Sequence, residues 1–261
     1  MGAIRKYFNE LTKQDQLDSS RTIFTSYLER RELPTLKLLK SINLENLKSQ
    51  MELGYWIGID YKIPLSEVMD VNAQGLEEGQ QKTKELIKDS SDYLISEFNE
   101  DEEDIEEMEV FDLDWEQVFS LYEEKKGSIP HTCYPIYFIT VGSGDMEKLV
   151  YIGKTSSSNH RFKNGHKVAL KLHAPKYNGL SKNVYFGCIV FYYNKSYIPI
   201  EWMDSTEEAK MVLDKIEQSL IKWFDPELNE KKTKNLNVPF SVNIHIQNFK
   251  DNILNDSFIA I

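Results

Sequence analysis

A chain of 261 residues is long enough to bury a real core, as one large domain or two smaller ones. Apolar residues make up 41% and charged residues 28%, a globular balance, and the longest apolar run, Val184 to Tyr193, is about half what a membrane-spanning helix needs. The net charge of −11 would argue against a polyanionic partner if it were evenly spread, and it is not.

The opening Met1 to Lys6 is not followed by an apolar stretch and has no Ser or Thr at position six. Neither a secretory signal nor a myristoyl anchor is expected. From Ser20, the residues Ile23, Phe24, Tyr27 and Leu28 recur at helical spacing and predict a helix. Pro34 suits the first turn of a second one, over Leu36, Leu38, Leu39, Ile42, Leu44 and Leu47. Gly54 to Pro64 is rich in turn residues and reads as a break in the pattern. Residues 76–98, with Leu86, Ile87, Tyr93, Leu94 and Phe98, predict a further helix. Residues 91–120 hold 13 acidic side chains and no Lys or Arg. Such a block reads either as a solvated linker or helix face, or as a strip that covers a basic groove in this chain or a partner. Val110, Phe111, Leu113, Trp115, Val118, Phe119 and Leu121 behind it predict a docked helix. Residues 1–127 therefore read as a mostly α-helical N-terminal module that ends in the acidic segment.

The charge changes sign beyond this point. Residues 1–130 carry 15 basic and 29 acidic side chains, whereas residues 131–200 carry nine and two. An asymmetry of this size points to modules with different partners. Tyr134 to Val141 and Leu149 to Thr155 read as two strands of a hairpin, with the turn at Gly142 to Lys148. Asn159 to Leu172 reads as a short basic helix, and Val184 to Tyr193 as a buried strand. Ser205 to Phe224 reads as a strong helix, capped by Ser205 or Thr206 and stopped by Asp225-Pro226. Its apolar stripe is Ala209, Val212, Leu213, Ile216, Leu220, Trp223 and Phe224.

On this frame Pro135-Ile136-Tyr137 lies on the first strand and Tyr151-Ile152-Gly153-Lys154 on the second. Arg161 opens the basic helix, Glu217 lies on the long helix, and Pro226-Glu227-Leu228-Asn229 follows it. In that order, residues 133–230 resemble the GIY-YIG nuclease domain family. Two positions depart from the family pattern. Pro135 stands where the family has Gly, and Gly165 stands four residues after the Arg, so that His166 comes one place late. The resemblance implies an α+β fold over 128–240, with a central antiparallel three-stranded sheet flanked by helices. The helical module at 1–127 precedes it and a C-terminal extension at 241–261 follows it.

The chemistry fits these residue types. Phosphodiester hydrolysis needs a positioned water, charge stabilisation on the phosphate and help for the leaving oxygen. Glu217 is the candidate ligand for a single Mg²⁺ or Mn²⁺. Arg161 offers a planar fork of donors to phosphate oxygens. Tyr137 is the favoured base, with Tyr151 orienting the water or phosphate; Lys154 is the alternative base, and His166 completes the candidate catalytic set. Lys163, Lys167, Lys171 and Lys176 are expected to track a nucleic-acid backbone, with Asn229 beside them. Taken singly, a strand tyrosine is most often a packing residue and a helical Glu most often solvated; the order of the set carries the reading. Cys133 and Cys188 form neither a metal spacing nor a disulfide framework, which suggests a reducing, cytoplasmic setting.

The expected function is a metal-dependent endonuclease acting on DNA, with RNA left open. A role in restriction or anti-phage defence fits a small nuclease with its own helical module. That module would serve regulation, partner binding or homo-oligomerisation, with no membrane involved. The alternative is a catalytically inactive nucleic-acid-binding or interaction protein on the same fold.

Overall fold

The computed structural model describes residues 36–48, 54–70, 75–98, 124, 133–156, 162, 166–193, 196–229 and 242–260. The helix expected near residue 23, the acidic run from 99 to 120, the apolar segment behind it and the boundaries near 127 and 240 lie outside them. Within them the expected helices at 76–98 and 206–224 and the three expected strands are all present, in a mixed α/β architecture. None of the described helices is long and apolar enough to cross a membrane.

Two short helices, α1 (Leu36–Ser41) and α2 (Leu44–Lys48), stand where one was expected, because the chain turns at Ile42 and Asn43. Asn43 caps the second, accepting from the Asn46 backbone N–H at 2.9 Å. Gly54 to Pro64 is the main correction. It is not a turn but strand β1 (Tyr55–Pro64), one of the central strands. Tyr55, Trp56, Ile57, Gly58 and Ile59 are all buried, so both faces are covered and no period-two pattern shows in the letters. The turn signal belongs only to Gly54, whose φ of +79° suits glycine. Helix α3 (Leu76–Phe98) follows.

The hairpin strands are β2 (Ile136–Val141) and β3 (Lys148–Lys154). Of the expected basic helix, the described residues include α4 (Lys167–Lys171), which His166 caps by accepting from the Val168 N–H at 3.3 Å. Strand β4 (Lys182–Tyr193) pairs with β5 (Ser196–Pro199). Helix α5 (Thr206–Phe224) begins at the Ser205 cap, whose hydroxyl accepts from the Glu208 N–H at 3.3 Å. It ends at Asp225, in the left-handed conformation at φ 43°, with Pro226 next. The C-terminal extension supplies β6 (Val242–Asn248) and β7 (Asp256–Ala260).

The expected three-stranded sheet is therefore the β3-β2-β4 part of a seven-stranded one. Its order is β3-β2-β4-β1-β6-β7, with β5 paired to β4. Among the described strands only β1 and β6 run parallel. Strands from 54–64, 136–193 and 242–260 thus share one hydrogen-bonded sheet. One face packs on α3 and α5 around Ile57, Ile59, Ile136, Phe138, Leu213, Ile216 and Leu220. The other carries Tyr137, Ile139, Phe162, Val168, Leu172 and Phe186.

Candidate functional site

The site is built on the sheet face turned away from α3 and α5. Antiparallel pairing of β2 and β3 sets Tyr137 directly opposite Gly153. A Cβ on Gly153 would collide with the Tyr137 hydroxyl and stand 2.8 Å from Tyr151 Cε1. Glycine there lets the phenol lie flat across β3. Tyr151 reaches the same face by regular alternation, two residues before Gly153 and opposite Ile139; the ladder irregularity, where Thr140 pairs with Leu149 and Val150 is left over, lies beyond it. The Tyr137 and Tyr151 ring centroids are 6.1 Å apart.

His166, at the cap of α4, closes the group. Its Nε2 lies 2.9 Å from the Tyr137 hydroxyl oxygen, and its ring is 5.5 Å from that of Tyr151. Because Nδ1 accepts from the Val168 N–H, a neutral ring carries its proton on Nε2. His166 then donates to the Tyr137 oxygen, a bond that stabilises negative charge on that atom. Phe162 backs both rings at 5.0 Å from Tyr137 and 5.2 Å from His166. The sequence reading missed Phe162; its only signal was an apolar ring placed between Arg161 and Lys163.

No protein-family model, curated protein or solved structure matches this chain.

The remaining expected residues divide. Arg161 and Lys163 lie outside the described residues. Lys154 ion-pairs with Asp214 of α5 at the edge strand β3. Glu217, one helical turn after Asp214 on the same side of α5, is 4% exposed, between Ile216 and Leu220 of the helix-covered core. The structure thus joins Tyr137, Tyr151 and His166 on one face of the sheet, whereas Glu217 stands on α5, which packs against the opposite face, and Lys154 pairs with Asp214 of that same helix. Among the described residues no group of three or more His, Cys, Asp or Glu is placed to hold a metal ion. One carboxylate buried among core residues, on a helix that packs against the sheet face away from Tyr137, does not make a preformed cage for such an ion.

Asn229 braces a strand edge. Its Oδ1 accepts from the Ile152 N–H and its Nδ2 donates to the Ile152 carbonyl, both at 2.8 Å. Leu228 adds a backbone bond to the Val150 carbonyl at 2.9 Å. These contacts close the outer edge of the YIG strand. Lys176 has protein partners too. It pairs with Glu227 at 2.8 Å, and its Nζ lies 4.8 Å above the centre of the Tyr177 ring. That pairing holds Lys176 above its ordinary range. Lys167 and Lys171 are exposed on α4, with the Lys171 ammonium 3.5 Å from the Leu228 carbonyl.

A second polar group, unforeseen in the sequence, sits where the ends of β1, β2, β3 and β4 meet the β6–β7 loop. Buried Glu147 accepts from Thr140, from Asn183 and Tyr185 at 3.0 Å each, and from Lys62 at 3.1 Å. Lys62 also pairs with Asp251 at 2.8 Å, and the Tyr185 hydroxyl lies 3.1 Å from the same carboxylate. Burial alone would push Glu147 up, but these donors outweigh it and hold the carboxyl below its usual value. The Lys62 hydrogen bond holds Asp251 down too. Burial would lower Lys62; its bonds to Asp251, Tyr185 and Glu147 raise it instead. Every member of this group is satisfied by another, which marks it as a clasp between strands.

Proposed function

We propose that this chain is a metal-dependent endonuclease that hydrolyses phosphodiester bonds, with DNA as its first substrate class. The observation that carries the reading is the Tyr137 phenol laid across Gly153, with His166 donating to its oxygen and Tyr151 beside it. Attack on phosphorus needs a water that loses a proton as it approaches. In this reading the Tyr137 oxygen receives that proton, and the His166 donor stabilises the charge that makes the oxygen basic. Tyr151 presents its hydroxyl to the same water or to a phosphate oxygen. Lys154, paired with Asp214, acts as fixed positive charge and not as the base. Arg161 binds the phosphate. Glu217 is the residue that would hold Mg²⁺ or Mn²⁺, which when bound neutralises charge on the phosphate and the leaving oxygen.

The test is incubation of the purified protein with plasmid, single-stranded DNA and RNA, with Mg²⁺ and with a chelator. Cutting is expected only with the metal. Glu217→Ala is expected to abolish it while nucleic-acid binding persists, and Tyr137→Phe to slow it by about a hundredfold or more. A wild-type protein that cuts none of the three substrates in Mg²⁺ or Mn²⁺ overturns the reading.

A further inference from the structure

Strand β1 adds something to the candidate site that the three-strand expectation lacked. Ile59 pairs with Gly187 and Tyr61 with Phe186, so Asp60 is an extra residue in the ladder. Ile57 and Ile59 face the helix-covered core, and strict alternation would send Tyr61 the same way. The bulge reverses the phase and turns Tyr61 onto the Tyr137 face. There its ring lies 6.4 Å from Tyr134 and 6.1 Å from Phe186, and Phe186 lies 6.5 Å from Tyr137. The Tyr134 hydroxyl donates to Asp60 at 3.3 Å, which fixes that ring over the bulge. Tyr61, Phe186 and Tyr137 are register partners on the adjacent strands β1, β4 and β2. Two strand spacings separate Tyr61 from Tyr137, about 10 Å. Tyr61 keeps 41% of its surface exposed, although it sits in a continuous aromatic layer.

We propose that Tyr61 and Tyr134 form a stacking platform for an unpaired base next to the cleaved phosphate, so that the substrate is single-stranded or locally opened nucleic acid. The proposal rests on the nuclease reading of the neighbouring site. Two features select this occupant. The stretch that supplies β2, β3, α4 and β4 carries nine basic and two acidic side chains, which complements a polyphosphate. Exposed Lys167 and Lys171 lie on α4, whose Val168 and Leu172 pack in the same cluster as Tyr137. An aromatic face beside such charge takes any base whose own face is open, and a duplex keeps its base faces stacked.

Binding is measured by fluorescence anisotropy in chelator, where no metal-dependent cutting occurs. The probes are labelled oligo-dT, oligo-U and a fully paired DNA duplex. Wild type is expected to bind a single strand more tightly than the duplex. Tyr61→Ala should weaken single-strand binding about tenfold or more and leave duplex binding unchanged. Tyr61→Trp should keep single-strand affinity, and Met211→Ala, an exposed apolar residue on α5, should match wild type. The two single-strand probes show which sugar is preferred, and Tyr61-dependent binding of either supports the platform. Equal single-strand affinity in wild type and Tyr61→Ala, a preference for duplex, or no binding to any probe overturns it. The nuclease reading fails separately: Tyr61-dependent binding without cutting in Mg²⁺ or Mn²⁺ removes the reaction and keeps the platform.

Discussion

Among single residues, Gly153 has the sharpest constraint on the site, because any side chain there must displace the Tyr137 ring. Gly153→Ala should therefore destabilise the fold by about 1–3 kcal/mol, the usual cost of overpacking. It should also disturb the Tyr137–His166 bond more than the distant core. Urea unfolding gives the first, and the ¹⁵N chemical shifts of the His166 ring give the second. A variant as stable as wild type, with unchanged His166 shifts, would show that the phenol does not lie over residue 153. The letters carried this much in advance: a Tyr and a Gly at matching places on two adjacent strand-like runs. They did not carry the His166 contact, because its position in the chain departs from the expected spacing by one. Only the cap at α4 shows how His166 meets Tyr137, since capping points the imidazole back at β2. The letters also did not show that Asn229 closes the edge of β3, because that edge exists only once the sheet has formed.

At the level of elements, legibility followed burial. Helix α5 was readable over most of its length because one face is wet and one is dry, so its stripe repeats with the helical period as far as Leu220, and its cap and stop are local; Trp223 of the expected stripe is exposed instead. Strand β1 was not, because it is covered on both sides and its glycines mimic a turn. The β1 bulge was equally silent, since only the pairing register with β4 reveals the extra residue. Strand β3 shows how an edge strand is finished. Its Ile152 N–H and carbonyl are both satisfied by one Asn229 side chain. Asn229→Ala removes two partners at once from a half-sheltered edge. A loss of about 1–2 kcal/mol is expected, together with faster amide exchange at Ile152 than at Phe138 on the neighbouring inner strand. Exchange that stays uniform along β2 and β3 would mean that another group closes the edge.

Across the whole molecule, the sheet order could not be read from the chain because its decisive pairings are remote. β1 pairs with β6 in parallel and with β4 in antiparallel fashion, and each partner lies more than a hundred residues away. The Glu147 clasp depends on those pairings: Lys62, Thr140, Asn183, Tyr185 and Asp251 meet it only once the sheet is complete. Its charges tie stability to pH in a definite sense. Glu147 and Asp251 are held below their ordinary values, so their contribution is complete above about pH 4–5 and is lost as the pH falls through their folded-state values. Lys62 is held above its ordinary value, so its contribution is complete below about pH 10 and is lost as the pH rises further. Burial first, and then the Glu147 charge, raise the Tyr185 hydroxyl, which adds a loss at the same alkaline end. Stability should therefore form a plateau with shoulders in acid and in strong base. Glu147→Gln separates the acid shoulder into its parts. At pH 7 the variant should be less stable by about 1–3 kcal/mol, because charge-assisted bonds are lost while the side chain keeps its size. As the pH falls below the carboxylate range, wild-type Glu147 takes up a proton and the two proteins should become equally stable. Urea midpoints of both proteins from pH 3 to pH 7 decide the matter. Curves that stay parallel would mean that Glu147 is not held by its donors as a charged group, and curves that converge assign the acid shoulder to this carboxylate.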